Sequence, residues 1–316
     1  MRAAVIYYPG RVDLRALQFA VQAIVEPAGW EPTLYLPTDS EHHGREQAHR
    51  ALAQHVTHIV VAGGDGTVRE VAEALAESKS SCTLGLVPTG TGNVLARNLN
   101  LSLTDLEGCV KRALTGNRHP LDLGLVRTID ADGQRRETIF AVMAGLGLDA
   151  KIMQATDAGR KRRFGWVAYI EGGFKTLPLE YERLSVTIDS SETRNLKVLT
   201  LLVGNAGWLP GQLSLMPDAS LDDGRLDLAA IGPRRFWDWI YFWGRVTIGN
   251  RALRPSRIGR KLLNATANVK ALENLSGRKV RVIPTRPVEL QIDGDAFGKV
   301  LEVEFEILPR ALNLRT

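Results

Sequence analysis

Residues 60–71 read VVAGGDGTVREV, an apolar run that passes through a glycine cluster into a helix-forming segment. Glycine lets the backbone turn sharply and brings its N–H groups close to a ligand. A helix that starts at such a turn offers unpaired N–H groups and the positive end of its dipole to a phosphate. Asp65 inside the turn would repel phosphate without a cation between them, which favours Mg²⁺ carried by a nucleotide. The alternative is a plain strand-to-helix turn with Asp65 as a helix cap.

A second turn of the same kind follows about twenty residues later. Residues 84–98 read LGLVPTGTGNVLARN, again a strand that ends in glycines and opens into a helix. Two such turns at neighbouring strand ends face one crevice, which is where α/β sheets bind ligands. Thr91 and Asn93 are placed to hydrogen-bond phosphate or ribose. Neither turn has the G-x-x-x-x-G-K-[ST] pattern of a Walker A loop.

The first 125 or so residues alternate apolar strand runs with amphipathic helices, which predicts a parallel sheet with crossover helices. The predicted strands are Ala3–Tyr8, Thr33–Leu36, His58–Ala62 and Thr83–Val87, and the predicted helices are Leu14–Glu26, Arg45–His55, Thr67–Glu77 and Thr104–Thr115.

After about Arg127 the pattern becomes short and β-like, which predicts a second, mostly β domain. Its predicted strands are Thr138–Ala144, Leu184–Asp189, Lys197–Val203, Arg225–Ile231, Lys279–Ile283, Val288–Ile292 and Leu301–Ile307, with helical stretches at Phe164–Thr176 and Phe236–Gly249.

Composition excludes several classes of protein. The chain has 316 residues, of which 44% are hydrophobic and 24% charged, so it is not a disordered chain. Its two cysteines exclude a disulfide framework and favour a reducing cytosol. No run approaches the roughly 18 apolar residues of a membrane span. The net charge is +5, and the stretch from Arg234 to Lys261 holds eight basic residues and one acidic residue. This concentration predicts an anionic partner, and no nucleic-acid-binding module accompanies it.

The motifs GGDGT and PTGTGN at this spacing resemble the diacylglycerol kinase catalytic domain, which bacterial lipid kinases share with sphingosine and ceramide kinases. Further blocks continue the resemblance in the same order along most of the chain. They are LDLG at 121–124, FAVMAGLGLDA at 140–150, Gly204-Asn205 with LDDGRLD at 221–227, and IDGD at 292–295. Concordant context of this kind is what confirms a motif.

The resemblance implies an α/β nucleotide-binding domain, like those of NAD kinase and phosphofructokinase, and a β-sandwich second domain. The first would span residues 1–127 with a C-terminal return at about 307–316, the second would span 128–306, and the active site would lie between them. The implied activity is ATP-dependent transfer of the γ-phosphoryl group to a lipid hydroxyl, most simply that of diacylglycerol. Another acceptor (a sphingoid base, another glycerolipid or NAD) and a regulator that binds without turnover remain alternatives.

The resemblance also implies functional residues. Asp293 would accept the proton of the lipid hydroxyl, Asp295 would orient that hydroxyl, and Asp65 would lie near Mg²⁺. A hairpin turn is the alternative reading of Asp293 and Asp295. The implied nucleotide contacts are Thr38, Gly63, Gly64, Asp65, Gly66, Thr67, Val68, Arg69, Gly90, Thr91, Gly92 and Asn93.

A structural Mg²⁺ would be held by Asp223 with the backbone carbonyls of Ser220 and Arg225, and an ordinary Asp-Gly hairpin turn is the alternative reading of that loop. Two departures from the family pattern bear on the nucleotide's Mg²⁺. Val94 stands where Asp is common, which leaves that ion to Asp65, Asp122 or water. Arg69 stands where Asn is common, and its charge offsets part of that loss by contacting phosphate.

Residues 236–245 read FWDWIYFWGR, and a basic run follows them. Tryptophan and tyrosine beside arginine and lysine are typical of a helix at the bilayer interface. We therefore expect residues 236–261 to contact anionic phospholipid, with the protein cytoplasmic and peripheral at the inner face of the membrane. A core helix is the alternative, and a homodimer stays open.

Overall fold

The computed structural model describes residues 1–39, 44–147, 180–209, 213–232 and 272–316. The chain divides into two compact units, Met1–Leu123 with Leu308–Thr316, and Gly124–Ile307. The sequence placed these boundaries at 1–127 with 307–316 and at 128–306.

The first unit is built on the predicted parallel sheet, with strand order β4-β3-β1-β2. Three of its strands, Ala3–Tyr7, His58–Gly63 and Thr83–Pro88, are buried apolar runs, as expected when helices cover both faces of a parallel sheet. The elements are β1 (Ala3–Tyr7), α1 (Leu14–Val25), β2 (Leu34–Pro37), α2 (Arg45–Ala53), β3 (His58–Gly63), α3 (Asp65–Glu77), β4 (Thr83–Pro88), α4 (Val94–Asn98) and α5 (Leu106–Thr115).

Side-chain caps fix where two of these helices begin. The Asp13 carboxylate accepts hydrogen bonds from the first-turn N–H groups of α1, and Asp105 accepts from Gly108 N–H at 2.8 Å in α5. Such a cap satisfies N–H groups that have no partner inside the helix. The third helix, α3, begins two residues before its predicted start at Thr67, because Gly64 is extended and the helical backbone starts at Asp65.

The last residues of the chain belong to the first unit, where Asn313–Arg315 run parallel to the start of β4. Arg315 donates hydrogen bonds to the Gly116 carbonyl and, at 3.1 Å, to Nε2 of His58. Burial lowers the pKa of His58 to about 4, and the charge of Arg315 adds to that effect. The imidazole is therefore neutral and accepts the arginine's hydrogen bond.

The second unit is antiparallel. Its strands are β5 (Arg118–Asp130, which begins in the first unit), β6 (Arg135–Phe140), β7 (Met143–Gly147), β8 (Glu182–Ile188), β9 (Arg194–Val198), β10 (Thr200–Gly204), β11 (Trp208–Leu209), β12 (Leu213–Ser214), β13 (Leu226–Ile231), β14 (Leu272–Gly277), β15 (Lys279–Pro284), β16 (Val288–Ile292) and β17 (Asp295–Arg315, which ends in the first unit).

Two sets of these strands share one apolar core. The first set runs β14-β13-β10-β7-β16, and the second includes β9-β8-β15 and the β5–β6 pair. Alternate residues of both sets are buried together, and the rings of Phe140 and Phe305 meet edge to face at 6.2 Å. This is the packing of a β-sandwich.

Three predicted strands were wrong in extent, since Leu301–Ile307 is part of the longer β17 and two others are interrupted. Thr138–Ala144 is interrupted at Ala141 and Val142, between β6 and β7, and Lys197–Val203 is interrupted at Leu199. The first interruption has a physical cause, because a distant carboxylate binds the N–H groups of the interrupting segment. The predicted helices at Phe164–Thr176 and Phe236–Gly249 lie outside the described residues.

Candidate active site

The two glycine-rich turns are in van der Waals contact. Strands β3 and β4 pair in parallel and end together, with Gly63 opposite Pro88, and Thr89 N–H donates to the Gly63 carbonyl at 3.1 Å. A Cβ added to Gly90 would lie 2.4 Å from Cα of Gly64, closer than any real side-chain contact. Glycine at position 90 is therefore required by a backbone-to-backbone approach.

The first turn leaves the start of α3 without a side-chain cap. Gly64 is the N-cap residue and, having no side chain, supplies no capping hydrogen bond to this helix. The 13-residue helix therefore presents N–H groups and the positive end of its dipole at the glycine turn. This is the arrangement that binds phosphate in many nucleotide-binding proteins.

Asp65 joins the two turns. Its Oδ1 accepts the Val94 N–H at 2.7 Å, so the carboxylate of the first turn caps α4, the helix that follows the second turn. Burial raises the pKa of Asp65, and hydrogen bonds from the N–H groups of Val94, Leu95 and Asn93 oppose that rise. A Cβ on Gly92 would lie 2.7 Å from Asp65 Oδ2. Asp65 thus has a structural role, and its predicted role near Mg²⁺ stays a prediction.

The side chains of Asn93 and Thr38 hydrogen-bond backbone carbonyl groups and expose little surface to a ligand. Asn93 has a left-handed backbone (φ +48°), which asparagine tolerates, and its Nδ2 donates to the Gly90 carbonyl at 2.8 Å. Both side chains are buried, and Thr38 Oγ1 donates to the Tyr7 carbonyl at 3.3 Å. Of the other predicted contacts, Val68 is buried, whereas Thr91 and Arg69 are partly exposed.

Asp293 lies in the second unit, in a two-residue hairpin between β16 and β17. Both Asp293 (φ +48°) and Gly294 (φ +89°) are left-handed, as in a type I′ turn. The Asp293 carboxylate accepts N–H groups of Ala141, Val142 and Met143 at 2.9, 2.9 and 3.0 Å. The hairpin alternative for this motif is therefore what the structure shows, and the role of Asp293 as a base stays a prediction.

Asp295 pairs with Ile292 across the same hairpin, and its side chain is exposed. The two aspartates of the IDGD motif therefore differ in environment. Asp293 is partly buried and bound by backbone donors, whereas Asp295 is open to solvent.

Comparison with known proteins matches both units. The family described as "Diacylglycerol kinase catalytic domain" matches residues 3–126, and the family described as "YegS C-terminal NAD kinase beta sandwich-like domain" matches residues 141–256. Residues 3–126 thus belong to the diacylglycerol kinase catalytic-domain family. The predicted family, the two-part fold class and the assignment as a kinase are confirmed.

Relatives cover nearly the whole chain. A diacylglycerol kinase of Bacillus subtilis (strain 168) is 28% identical over 320 residues, covering 99% of this chain and 95% of the relative. One of Staphylococcus carnosus (strain TM300) is 29% identical over 318 residues, covering 100% and 95%.

Solved structures show the same fold. A crystal structure of a proposed diacylglycerol kinase from Bacillus anthracis superposes with a TM-score of 0.73 at 21% identity, covering 99% of this chain and 94% of the other. An NAD kinase from Archaeoglobus fulgidus in complex with ATP superposes at 0.51 and 14% identity, covering 100% and 94%.

The carboxylates predicted to hold Mg²⁺ do not gather into a ligand cage. Asp122 is fully buried, and its Oδ1 accepts the Arg310 N–H at 2.6 Å, which fixes the returning strand. Within the described ranges, no group of three or more His, Cys, Asp and Glu side chains is placed to hold a metal ion. These ligands stay predictions.

The loop before β13 is closed by its own hydrogen bonds. Asp223 Oδ1 accepts the Arg225 N–H at 2.9 Å, and Ser220 Oγ donates to a neighbouring carboxylate at 2.9 Å. Burial raises the pKa of Asp227 to about 6, with the charges of Asp223 and Asp218 adding to it. The Asp-Gly turn alternative fits these hydrogen bonds, and the Mg²⁺ site at Ser220, Asp223 and Arg225 stays a prediction.

Sequence reasoning missed Arg97, whose Nε donates to the Gly92 carbonyl at 2.8 Å. The available signal was an arginine one helical turn after the second glycine motif. Residues 236–261, predicted to contact phospholipid, lie outside the described residues. Among the helices that the structure describes, none is long and apolar enough to cross a membrane.

Proposed function

We propose that this protein transfers the γ-phosphoryl group of ATP to the hydroxyl of a lipid, with diacylglycerol as the acceptor. The observation that carries the proposal is the pair of glycine-rich turns, held together by Asp65 beside the uncapped start of α3. Full-length relatives named diacylglycerol kinase support the choice of acceptor.

The nucleotide part of the mechanism follows from the first unit. The N–H groups at the start of α3 bind phosphate oxygens, and the rigid contact between Gly64 and Gly90 keeps those donors in place. Phosphoryl transfer depends on positioning and charge stabilisation more than on covalent participation of the protein. Mg²⁺ enters only as the ion that ATP carries, and no proposed step passes through a metal held by the chain.

For the proton we favour Asp295 over Asp293. Asp293 is engaged by three backbone donors and holds the segment between β6 and β7, which makes it a positioning residue. Asp295 carries an exposed carboxylate two residues later, where a lipid hydroxyl can reach it and give up its proton.

The test is transfer of labelled γ-phosphate from MgATP to a panel in mixed micelles. The panel holds diacylglycerol, monoacylglycerol, sphingosine, ceramide and phosphatidylglycerol, with NAD as a soluble acceptor and Gly90→Ala protein as the blank. We expect labelled phosphatidic acid, the phosphorylated product of diacylglycerol, which the blank does not form. Label on NAD, or no labelled lipid from protein that binds ATP, would overturn the proposed acceptor.

Asp295→Asn is the matched variant for the proton acceptor. Turnover should fall at least about a hundredfold, the usual scale for loss of a general base, while the melting temperature stays unchanged. Turnover equal to wild type would return the assignment to Asp293.

We also propose that residues 236–261 bring the enzyme to the cytoplasmic face of the membrane. Their aromatic and basic composition supports interfacial binding to anionic lipid. Co-sedimentation with phosphatidylglycerol vesicles but not with phosphatidylcholine vesicles is the expected result, and equal binding to both would contradict it.

A further inference from the structure

Arg97 lies near the end of α4, directly after the second glycine-rich turn. Its Nε donates to the Gly92 carbonyl at 2.8 Å, so the side chain folds back onto the turn that precedes its own helix. In the part of the chain that the structure describes, this is the side chain's one hydrogen bond, and no carboxylate forms an ion pair with it. The residue is exposed.

The hydrogen bond orients the guanidinium. Because Nε is bound to the loop, the two terminal NH₂ groups are held next to it and remain available to a ligand. Gly92 is also the residue whose missing Cβ makes room for Asp65 Oδ2. The charge of Arg97 is thus fastened to the same turn that Asp65 clamps against the start of α3.

Two other exposed arginines of the first unit are neutralised by acids. Arg45 pairs with Glu73 and Glu77, and Arg50 pairs with Glu46. Arg97 has no such partner among the described residues, and Val94 contributes no carboxylate at the start of its helix. A guanidinium that is held but unpaired beside a phosphate-binding turn is suited to bidentate contact with phosphate oxygens.

We propose that Arg97 binds the terminal phosphates of ATP through its two NH₂ groups and stabilises the charge on the transferred phosphoryl group. This inference rests on the proposed function and adds a residue to the same site. It also accounts for the Nε bond to Gly92, which pre-organises the guanidinium and lowers the entropy lost on binding.

Two substitutions at Arg97 separate the effect of its charge from the effect of its hydrogen bond to Gly92. In Arg97→Gln, the Nε2 amide falls where the arginine Nε lies, so the bond to Gly92 is kept and the charge is lost. In Arg97→Lys, the charge is kept and that donor is lost. Arg112 is an exposed arginine in the last turn of α5. The variant Arg112→Gln is the control for the removal of one positive charge elsewhere on the surface.

Binding of ATP and of adenosine is measured by calorimetry, and turnover by the labelled-lipid assay. Arg97→Gln should weaken ATP binding at least about tenfold, leave adenosine binding unchanged and lower kcat about 10²- to 10³-fold. Arg97→Lys should keep ATP affinity within about tenfold of wild type. Arg112→Gln should match wild type in all three.

The opposite pattern would overturn the proposal. If Arg97→Gln matches wild type while Arg97→Lys loses ATP binding, Arg97 only supports the loop. If wild type phosphorylates no lipid and Arg97→Gln still loses ATP but not adenosine, the lipid kinase proposal fails and the phosphate contact stands. If wild type phosphorylates lipid and Arg97→Gln is unchanged, only the phosphate contact fails.

Discussion

Replacing Asp293 by asparagine tests whether its carboxylate holds the segment between β6 and β7. Asparagine keeps an oxygen for the N–H groups of Val142 and Met143, but its NH₂ group replaces the oxygen that accepts from Ala141 at 2.9 Å. Because Ala141 is buried, its N–H would face the asparagine NH₂ group, with no water molecule to accept its hydrogen bond.

The magnitude follows from that lost bond. A hydrogen bond to a charged group contributes about 1.5–3 kcal/mol, and an unsatisfied buried donor adds to the loss, so we expect about 3 kcal/mol. For a unit of this size, that corresponds to a fall of roughly 6–12 °C in melting temperature. Calorimetric scans of wild type and Asp293→Asn measure it directly.

Asp189 offers a matched control in the same unit. Its Oδ1 accepts the N–H groups of Arg278 and Lys279 at 2.8 and 2.9 Å from an exposed left-handed position (φ +51°). Asparagine can accept both bonds there, so Asp189→Asn should cost less than about 1 kcal/mol. Equal melting temperatures for the two variants would refute the argument that Asp293 stabilises the fold by accepting the N–H groups of Ala141, Val142 and Met143.

The remaining predictions concern how folding stability depends on pH. The two groups involved, His58 and Asp227, change stability in opposite directions as the pH falls. The pKa of His58 is about 4 in the folded protein, below its unfolded value near 6.5, so its contribution to stability is lost as pH falls through that window. Wild type should lose roughly 2–3 kcal/mol by pH 4 that His58→Gln keeps, and urea midpoints that fall in parallel for both proteins would contradict this. The pKa of Asp227 is about 6, above its unfolded value near 3.8, so the carboxylate destabilises the fold at neutral pH and is relieved as pH falls through 6. Asp227→Asn should gain about 1–2 kcal/mol at pH 7, after allowing for partial solvent screening, and nothing at pH 4. A gain that is the same at both pH values would show that the charge of the Asp227 carboxylate is not its cause.

Local pattern predicted much of this protein. The apolar runs of β1, β3 and β4 and the amphipathic helices between them lie close to their predicted positions, because period and turn chemistry act over a few residues. The glycines of GGDGT and PTGTGN were recognised for the same reason, since a sharp turn needs glycine wherever it occurs. Sequence could not show that Gly64 and Gly90 touch, because 26 residues of chain separate two loops that the parallel pairing of β3 and β4 brings together.

The roles of the carboxylates were decided by tertiary structure. From sequence, Asp65 could be a metal neighbour or a cap for its own helix, and the fold makes it the cap of α4, 29 positions away. From sequence, Asp293 could be a base or a turn residue. In the fold, its carboxylate accepts hydrogen bonds from N–H groups 150 to 152 positions earlier in the chain. Residue types in local order were enough to predict the family, the two-part architecture and the two glycine-rich turns. Which partner each buried charge has depends on which backbone donors the folded chain brings within 3 Å of it, and only the tertiary structure sets that.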